Sequence, residues 1–188
     1  MLFFCDKMKI EEVLLMVDYS FLFIQGIDIV AWVILFVSYY QKKTNNVILF
    51  QIFSTILFIL HYWLLGAYSG SLICLFEVFR DCLYYRTDKD KYIFLLSVPF
   101  YGVLAYFSYR TWIDFFPILS SLIDGYSLTF SHKKIVVIGG FFSYFLWIIY
   151  DFFVGSYTGM ITDSLIVISN ACILLFNKNG DGKLFRKI

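Results

Sequence analysis

Seven apolar stretches, each close to the length of a bilayer crossing, occupy most of this chain, and the connections between them are short. A helix needs about 20 mainly apolar residues to cross the hydrocarbon layer. The windows 19–40, 47–65, 71–85, 92–109, 111–130, 135–154 and 158–176 fit that pattern. Backbone amides inside lipid have no water to bond with, so runs of this length predict helices that satisfy their own hydrogen bonds. Composition supports this. Hydrophobic residues make up 61% of the chain and charged ones 15%, against about 25% charged in a soluble domain. A soluble core of this size cannot hide so much apolar surface. The 22% aromatic content suits lipid-facing helices with aromatic belts at the interfaces.

The second half repeats the first at an offset of 89 residues. Gly66-Ala67-Tyr68-Ser69-Gly70 recurs as Gly155-Ser156-Tyr157-Thr158-Gly159, and Ser54, Leu57 and Ile59 match Ser143, Leu146 and Ile148. The glycines Gly66, Gly70, Gly155 and Gly159 are expected to make tight turns between spans. Duplicated helical blocks are a common plan for membrane transporters, whose sites lie at the interface between repeats.

Lysine and arginine alternate between connections. One side collects Lys42, Lys43, Arg86, Lys89, Lys91, Lys133 and Lys134, and the tail adds Lys178, Lys183, Arg186 and Lys187, eleven in all; the other has Lys7, Lys9 and Arg110. Basic loops stay in the cytoplasm, which places the N-terminus outside and the C-terminus inside. The expected architecture is all-α, with seven transmembrane helices in two parallel three-helix repeats and a linker helix between them. Its parts are a short extracytoplasmic segment (1–18), repeat 1 (19–87), the linker helix (88–110), repeat 2 (111–176) and a basic cytoplasmic tail (177–188).

Polar residues inside spans are costly and usually face the bundle interior. Glu77, Arg80, Asp81 and Tyr84 recur at i, i+3, i+4 and i+7, so they share one helical face. They read either as the wall of a solute path or as an internal ion pair that orients the helix. At the repeat offset Asp81 falls on Asn170, so the two are expected to face each other across a central axis. Phe58 and its counterpart Trp147 offer apolar faces for a ring. Asp28 and Asp124 lie deep in their spans and point to a cavity. Pro117 is expected to kink its helix. His61 reads either as a sensor of external pH or as an interfacial hydrogen-bonding residue, and Asp151 as water-accessible at the same outer level.

Ser38-Tyr39-Tyr40-Gln41-Lys42-Lys43, then Gln51 and Ser54, His61-Tyr62-Trp63-Leu64-Leu65-Gly66-Ala67-Tyr68-Ser69-Gly70 and Arg80 resemble the YgjV family of bacterial inner-membrane proteins along essentially the whole chain. That resemblance implies an inner-membrane location and no particular activity. The three-plus-one-plus-three plan also resembles the SWEET and PQ-loop proteins, which carry sugars or amino acids and hold sugar hydroxyls with paired asparagines on their third and seventh helices. Here the pair is Asp81 and Asn170. A Pro-Gln dipeptide is absent.

Enzyme motifs such as His-Glu-x-x-His and Gly-x-Ser-x-Gly are also absent, so no enzyme, cofactor or metal is expected. Asn177-Lys178-Asn179-Gly180-Asp181-Gly182 mimics the start of a calcium loop, but Ile188 stands where the bidentate carboxylate belongs. The function expected is transport of a small polar solute, a sugar or similar, through a cavity lined by Glu77, Arg80, Asp81, Asp124, Asn170, Phe58, Trp147 and Asp28. The alternative is a receptor or partner-binding membrane protein. Expected partners are the lipid bilayer, a small-molecule solute and, in an oligomer, a second copy of the chain. No nucleic-acid partner is expected at a net charge of +1.

Overall fold

A computed structural model describes residues 2–38, 40–41, 44–86, 90–130 and 133–176, with backbone alone for 2–18. Its described part contains seven α-helices and one 3-10 turn. The helices are α1 (Leu2–Ser38), α2 (Thr44–Leu64), α3 (Tyr68–Arg86), α4 (Asp90–Ser108), α5 (Phe115–Leu128), α6 (Lys133–Val154) and α7 (Tyr157–Phe176), and the 3-10 turn Trp112–Asp114 leads into α5. Helix α1 begins at Leu2, so the expected N-terminal segment is a continuous helical extension of the first apolar run. Lys42, Lys43, Lys89, His132, Lys178, Lys183, Arg186, Lys187 and the calcium-like stretch 177–182 lie outside the described residues.

Four helices have the length and apolar character to cross a membrane, over Tyr19–Ser38, Lys91–Ser108, Lys134–Val154 and Tyr157–Leu175. Helix α2 carries the shorter apolar run Leu49–Leu64. The other two include the charged side chains of Glu77, Arg80 and Asp81 (α3) and Asp124 (α5), which dilute their apolar character. Each helix packs on the next in sequence, α1 also packs on α7, and α3 on α5. The outside is greasy: Phe23, Phe36, Phe79, Leu95, Phe107 and Leu175 are all exposed. The centre is a cluster of Tyr62, Ile73, Cys74, Tyr101, Trp147 and Tyr150. An apolar exterior around a partly polar interior is the arrangement a lipid solvent selects.

The two matching turns adopt the same backbone. Gly66 and Gly155 have φ of 73° and 79°, a region open to glycine but strained for other residues. Ala67 N–H donates to Tyr62 O and Ser156 N–H to Asp151 O, each at 2.9 Å, and Ser71 and Met160 make the next equivalent pair at 3.2 and 2.9 Å. Gly70 and Gly159, in contrast, lie inside the first turns of α3 and α7. They serve close approach. A Cβ on Gly70 would stand 2.8 Å from the Tyr150 ring, and one on Gly159 would stand 2.5 Å from Asp151 Oδ2 and Ser156 Oγ.

Serines join neighbouring helices at equivalent levels. Ser54 Oγ donates to Ala31 O at 2.7 Å between α1 and α2. The corresponding residues of α5 and α6, Ser120 and Ser143, meet hydroxyl to hydroxyl at 2.7 Å. Small hydroxyl residues let membrane helices approach closely. Pro117 lies at the third position of α5, where an amide hydrogen would have no intrahelical acceptor anyway, so it does not interrupt the helix. The proline inside a helix is Pro99 of α4.

Candidate functional site

Two polar clusters adjoin the aromatic core, one through Tyr101 and one through Tyr62. The first centres on Arg80, which is 4% exposed. Its Nε donates to Asp81 Oδ1 at 3.1 Å, and one terminal nitrogen reaches Asp124 Oδ2 at 3.5 Å. The other donates to the Tyr101 hydroxyl at 3.2 Å and to Ser121 O at 3.4 Å. Glu77 accepts a hydrogen bond from Ser121 Oγ. Helices α3, α4 and α5 thus meet around one guanidinium. Five donors in a fixed planar fork suit it to gathering several acceptors at once. Four of the expected site residues, Glu77, Arg80, Asp81 and Asp124, are therefore brought together.

The expected meeting of Asp81 with Asn170 does not occur. Asp81 is 51% exposed on its pair with Arg80, whereas Asn170 packs against α6, its Nδ2 3.1 Å from where a Cβ on Gly140 would stand. The two have separate surroundings. Trp147 stacks on Tyr62 with ring centres 5.3 Å apart, and Phe58 meets Trp32 edge-on at 5.6 Å. Those ring faces are engaged by other aromatics.

The second cluster lies where the Gly66 and Gly155 turns converge, and it gathers residues, Asp28, His61 and Asp151 among them, that nothing in their local sequence groups together. His61 and Asp151 are both fully buried, a correction to the interfacial and water-accessible positions expected for them. The 89-residue offset explains the burial: it aligns Tyr62 with Asp151, and these equivalent residues bond to each other. The Tyr62 hydroxyl donates to Asp151 Oδ1 at 2.8 Å. His61 Nδ1 lies 2.9 Å from Ile24 O, and Nε2 2.9 Å from Ser156 Oγ. Asp28, 1% exposed, has Oδ1 4.0 Å from His61 Nε2. Asp163 is buried nearby, within electrostatic reach of Asp151 and Asp28.

Flanking contacts exchange between halves. Gln25 Oε1 accepts from Thr158 Oγ1 at 2.6 Å and from its amide at 3.0 Å. At the equivalent positions Asp114 Oδ1 accepts from Ser69 Oγ at 2.5 Å. Gln25 also donates to Gly155 O at 2.8 Å, and the Tyr150 hydroxyl accepts from Gly70 N at 2.9 Å. Polar residues falling on polar residues at the repeat offset, Gln25 on Asp114 and Ser69 on Thr158, are the signal that would have found this cluster.

Asp114 precedes α5, outside the spans. Burial alone would raise its pKa, but bonds from the Ser69 hydroxyl, the Thr111 and Arg110 amides and the Thr111 hydroxyl outweigh that and hold it below the usual aspartate value. Among the described residues, no group of three or more His, Cys, Asp or Glu side chains is placed to hold a metal ion.

A helical bundle with an apolar outside and buried hydrogen-bonded polar clusters is an integral membrane protein. Residues 22–176 match the Imp-YgjV family, described as bacterial inner membrane protein, and the chain belongs to that family. No curated protein and no solved structure matches the chain.

Proposed function

We propose that the chain is a carrier of a small polar solute, a sugar or similar, built as two parallel three-helix repeats, α1–α3 and α5–α7, joined by α4. In this reading the Gly66 and Gly155 turns face outward and the basic connections and tail face the cytoplasm, as the lysine and arginine bias suggests. The observation that carries the proposal is the exchange of polar contacts at the seam: Gln25 with Thr158, Asp114 with Ser69, and Tyr62 with Asp151. Each bond joins one half to the other, so a limited set of hydrogen bonds stands between this arrangement and one in which the halves separate. Glu77, Arg80 and Asp124 supply the acceptors and the donor fork that a polyhydroxylated solute needs.

Thermal stability of the purified protein against sugars, amino acids, nucleosides and vitamins tests this, followed by counterflow of any hit in proteoliposomes. Saturable stabilisation by one class, with counterflow lost in an Asp124→Asn variant that still folds, supports the carrier. Silence across the panel from folded protein supports a second reading, a receptor or partner-binding protein. The observation favouring that reading is the packing of Tyr62, Trp147 and Tyr150 on one another, which closes the centre with aromatic rings.

A further inference from the structure

The cluster around His61 contains carboxylate oxygens that no well-formed hydrogen bond satisfies. Asp28 Oδ1, Asp28 Oδ2 and Asp151 Oδ2 are fully buried and lack hydrogen-bond partners. An ionised carboxylate in such surroundings is expensive unless a positive charge or a proton accompanies it. The imidazole beside them has its tautomer set by its other partner. Ile24 O can only accept, so His61 Nδ1 carries the hydrogen of that 2.9 Å bond. In the neutral ring Nε2 is then bare and accepts from the Ser156 hydroxyl at 2.9 Å. A bare nitrogen offers nothing to Asp28 at 4.0 Å. Ser156 Oγ and Asp151 Oδ2 converge over Gly159, each 2.5 Å from the point a Cβ would occupy, so no side chain separates them.

We propose that His61 and Asp28 form a single-proton binding site, linked through Ser156 to Asp151 across the seam between α1–α2 and the α6–α7 turn. One proton enters. It goes to His61 Nε2 and creates an imidazolium that faces the Asp28 carboxylate. A protonated Nε2 donates to Ser156 Oγ, and the serine hydrogen turns to Asp151 Oδ2, supplying the donor that oxygen lacks. No bond other than the N–H or O–H is made. The groups facing His61 are Asp28 on α1, Tyr62 on its own helix and Ser156 in the turn between α6 and α7, with Asp151 and Asp163 behind them within electrostatic reach of Asp28. The carboxylates outnumber the single cation-forming side chain, which is why the ligand is a cation. The inference concerns binding alone and stands whether or not a solute is carried.

The test is nitrogen NMR of the protein with labelled histidine in detergent, in a His132→Asn background that leaves His61 as the sole signal. Lowering the pH from about 8 to about 5 should convert Nε2 from bare to protonated in one step, with Nδ1 protonated throughout. Asp28→Asn should move the midpoint, since the carboxylate facing Nε2 is then replaced by a neutral amide. An Nε2 that stays bare across the range, a bare Nδ1, or a midpoint unmoved in Asp28→Asn overturns the proposal. Replacing potassium by sodium at constant ionic strength should leave the titration in place; displacement by sodium would make the site a sodium site and overturn it too. Should Asp28→Asn fail to fold, Ser156→Ala provides the second variant. It should shift the bare Nε2 resonance by removing its donor, and an unchanged resonance and midpoint would count against the site.

Discussion

Tyr62 and Asp151 stand 89 residues apart at equivalent positions of the duplicated segments, and they are hydrogen-bonded to each other at 2.8 Å. A residue that touches its own counterpart lies where the two halves meet. Tyr62→Phe would leave Asp151 with neither oxygen bonded in a fully buried position, because Oδ2 already lacks a partner. The expected loss is about 1–3 kcal/mol, read from unfolding in mixed micelles. Tyr62→Phe combined with Asp151→Leu should recover part of it, since the orphaned acceptor is then removed as well. A double variant weaker than the sum of both single changes would contradict this.

The glycine substitutions separate strain from collision. Gly66 has open space around it but a φ of +73°, so Gly66→Ala should cost about 1–2 kcal/mol through the backbone alone. Gly70→Ala should cost about 1–3 kcal/mol by overpacking, because its methyl group meets the Tyr150 ring at 2.8 Å. Adding Tyr150→Phe removes the hydroxyl, which lies 2.9 Å from that methyl position, and should relieve part of the Gly70 cost and none of the Gly66 cost. Melting temperatures of the native protein, of Tyr150→Phe and of each glycine variant in both backgrounds, six proteins in all, check both statements.

Arg80 holds Asp124, Tyr101 and the Ser121 carbonyl from the interior of the bundle. Replacing it by Met leaves the Tyr101 hydroxyl, the Ser121 carbonyl and the 31%-exposed Asp124 carboxylate without their shared donor and is expected to destabilise by about 1–3 kcal/mol. Its other partner behaves differently. Asp81 is half in contact with the surroundings, and Asp81→Asn should cost less than about 1 kcal/mol. Similar losses for the two variants would mean that the Asp81 pair carries the cluster.

Acid should weaken the protein at Asp114. Its pKa is lower in the folded state than the ordinary value of 3.8, so the folded form favours the ionised carboxylate. That contribution is present in full above the unfolded pKa and is lost as pH falls through the folded one. The stability difference between the native protein and Asp114→Asn should therefore be constant from neutral pH down to the ordinary aspartate range and shrink below it. A difference that grows on acidification would reverse the sign of this argument.

Much of the helical plan was legible because lipid imposes it: apolar runs of fixed length have few other folds open to them. The Gly66 and Gly155 turns were legible for a similar reason, since their conformation belongs to glycine. The convergence of Glu77, Arg80 and Asp124 followed from charge burial. What escaped was tertiary. Nothing local to His61 says that Ile24, Ser156 and Asp28 surround it, because these partners come from α1 and from the turn after α6. A histidine beside Tyr62 and Trp63 near a helix end has the local signature of an interface anchor, and only the packing of the second half over it takes it out of water. Pro117 misled for a related reason. The apolar run starting at residue 111 conceals the 3-10 turn Trp112–Asp114, which moves the start of the α-helix to within two residues of the proline.

Pro99 removes one rung from the hydrogen-bond ladder of α4, since proline has no amide hydrogen to give the carbonyl of Leu95 one turn earlier. Resistance to flexing is therefore lowest, along this helix, at that level. Because α4 is the covalent strap between the segments carrying the two glycine turns, a bend there would shift one against the other only by breaking the bonds that join them, Tyr62 to Asp151 and Ser69 to Asp114.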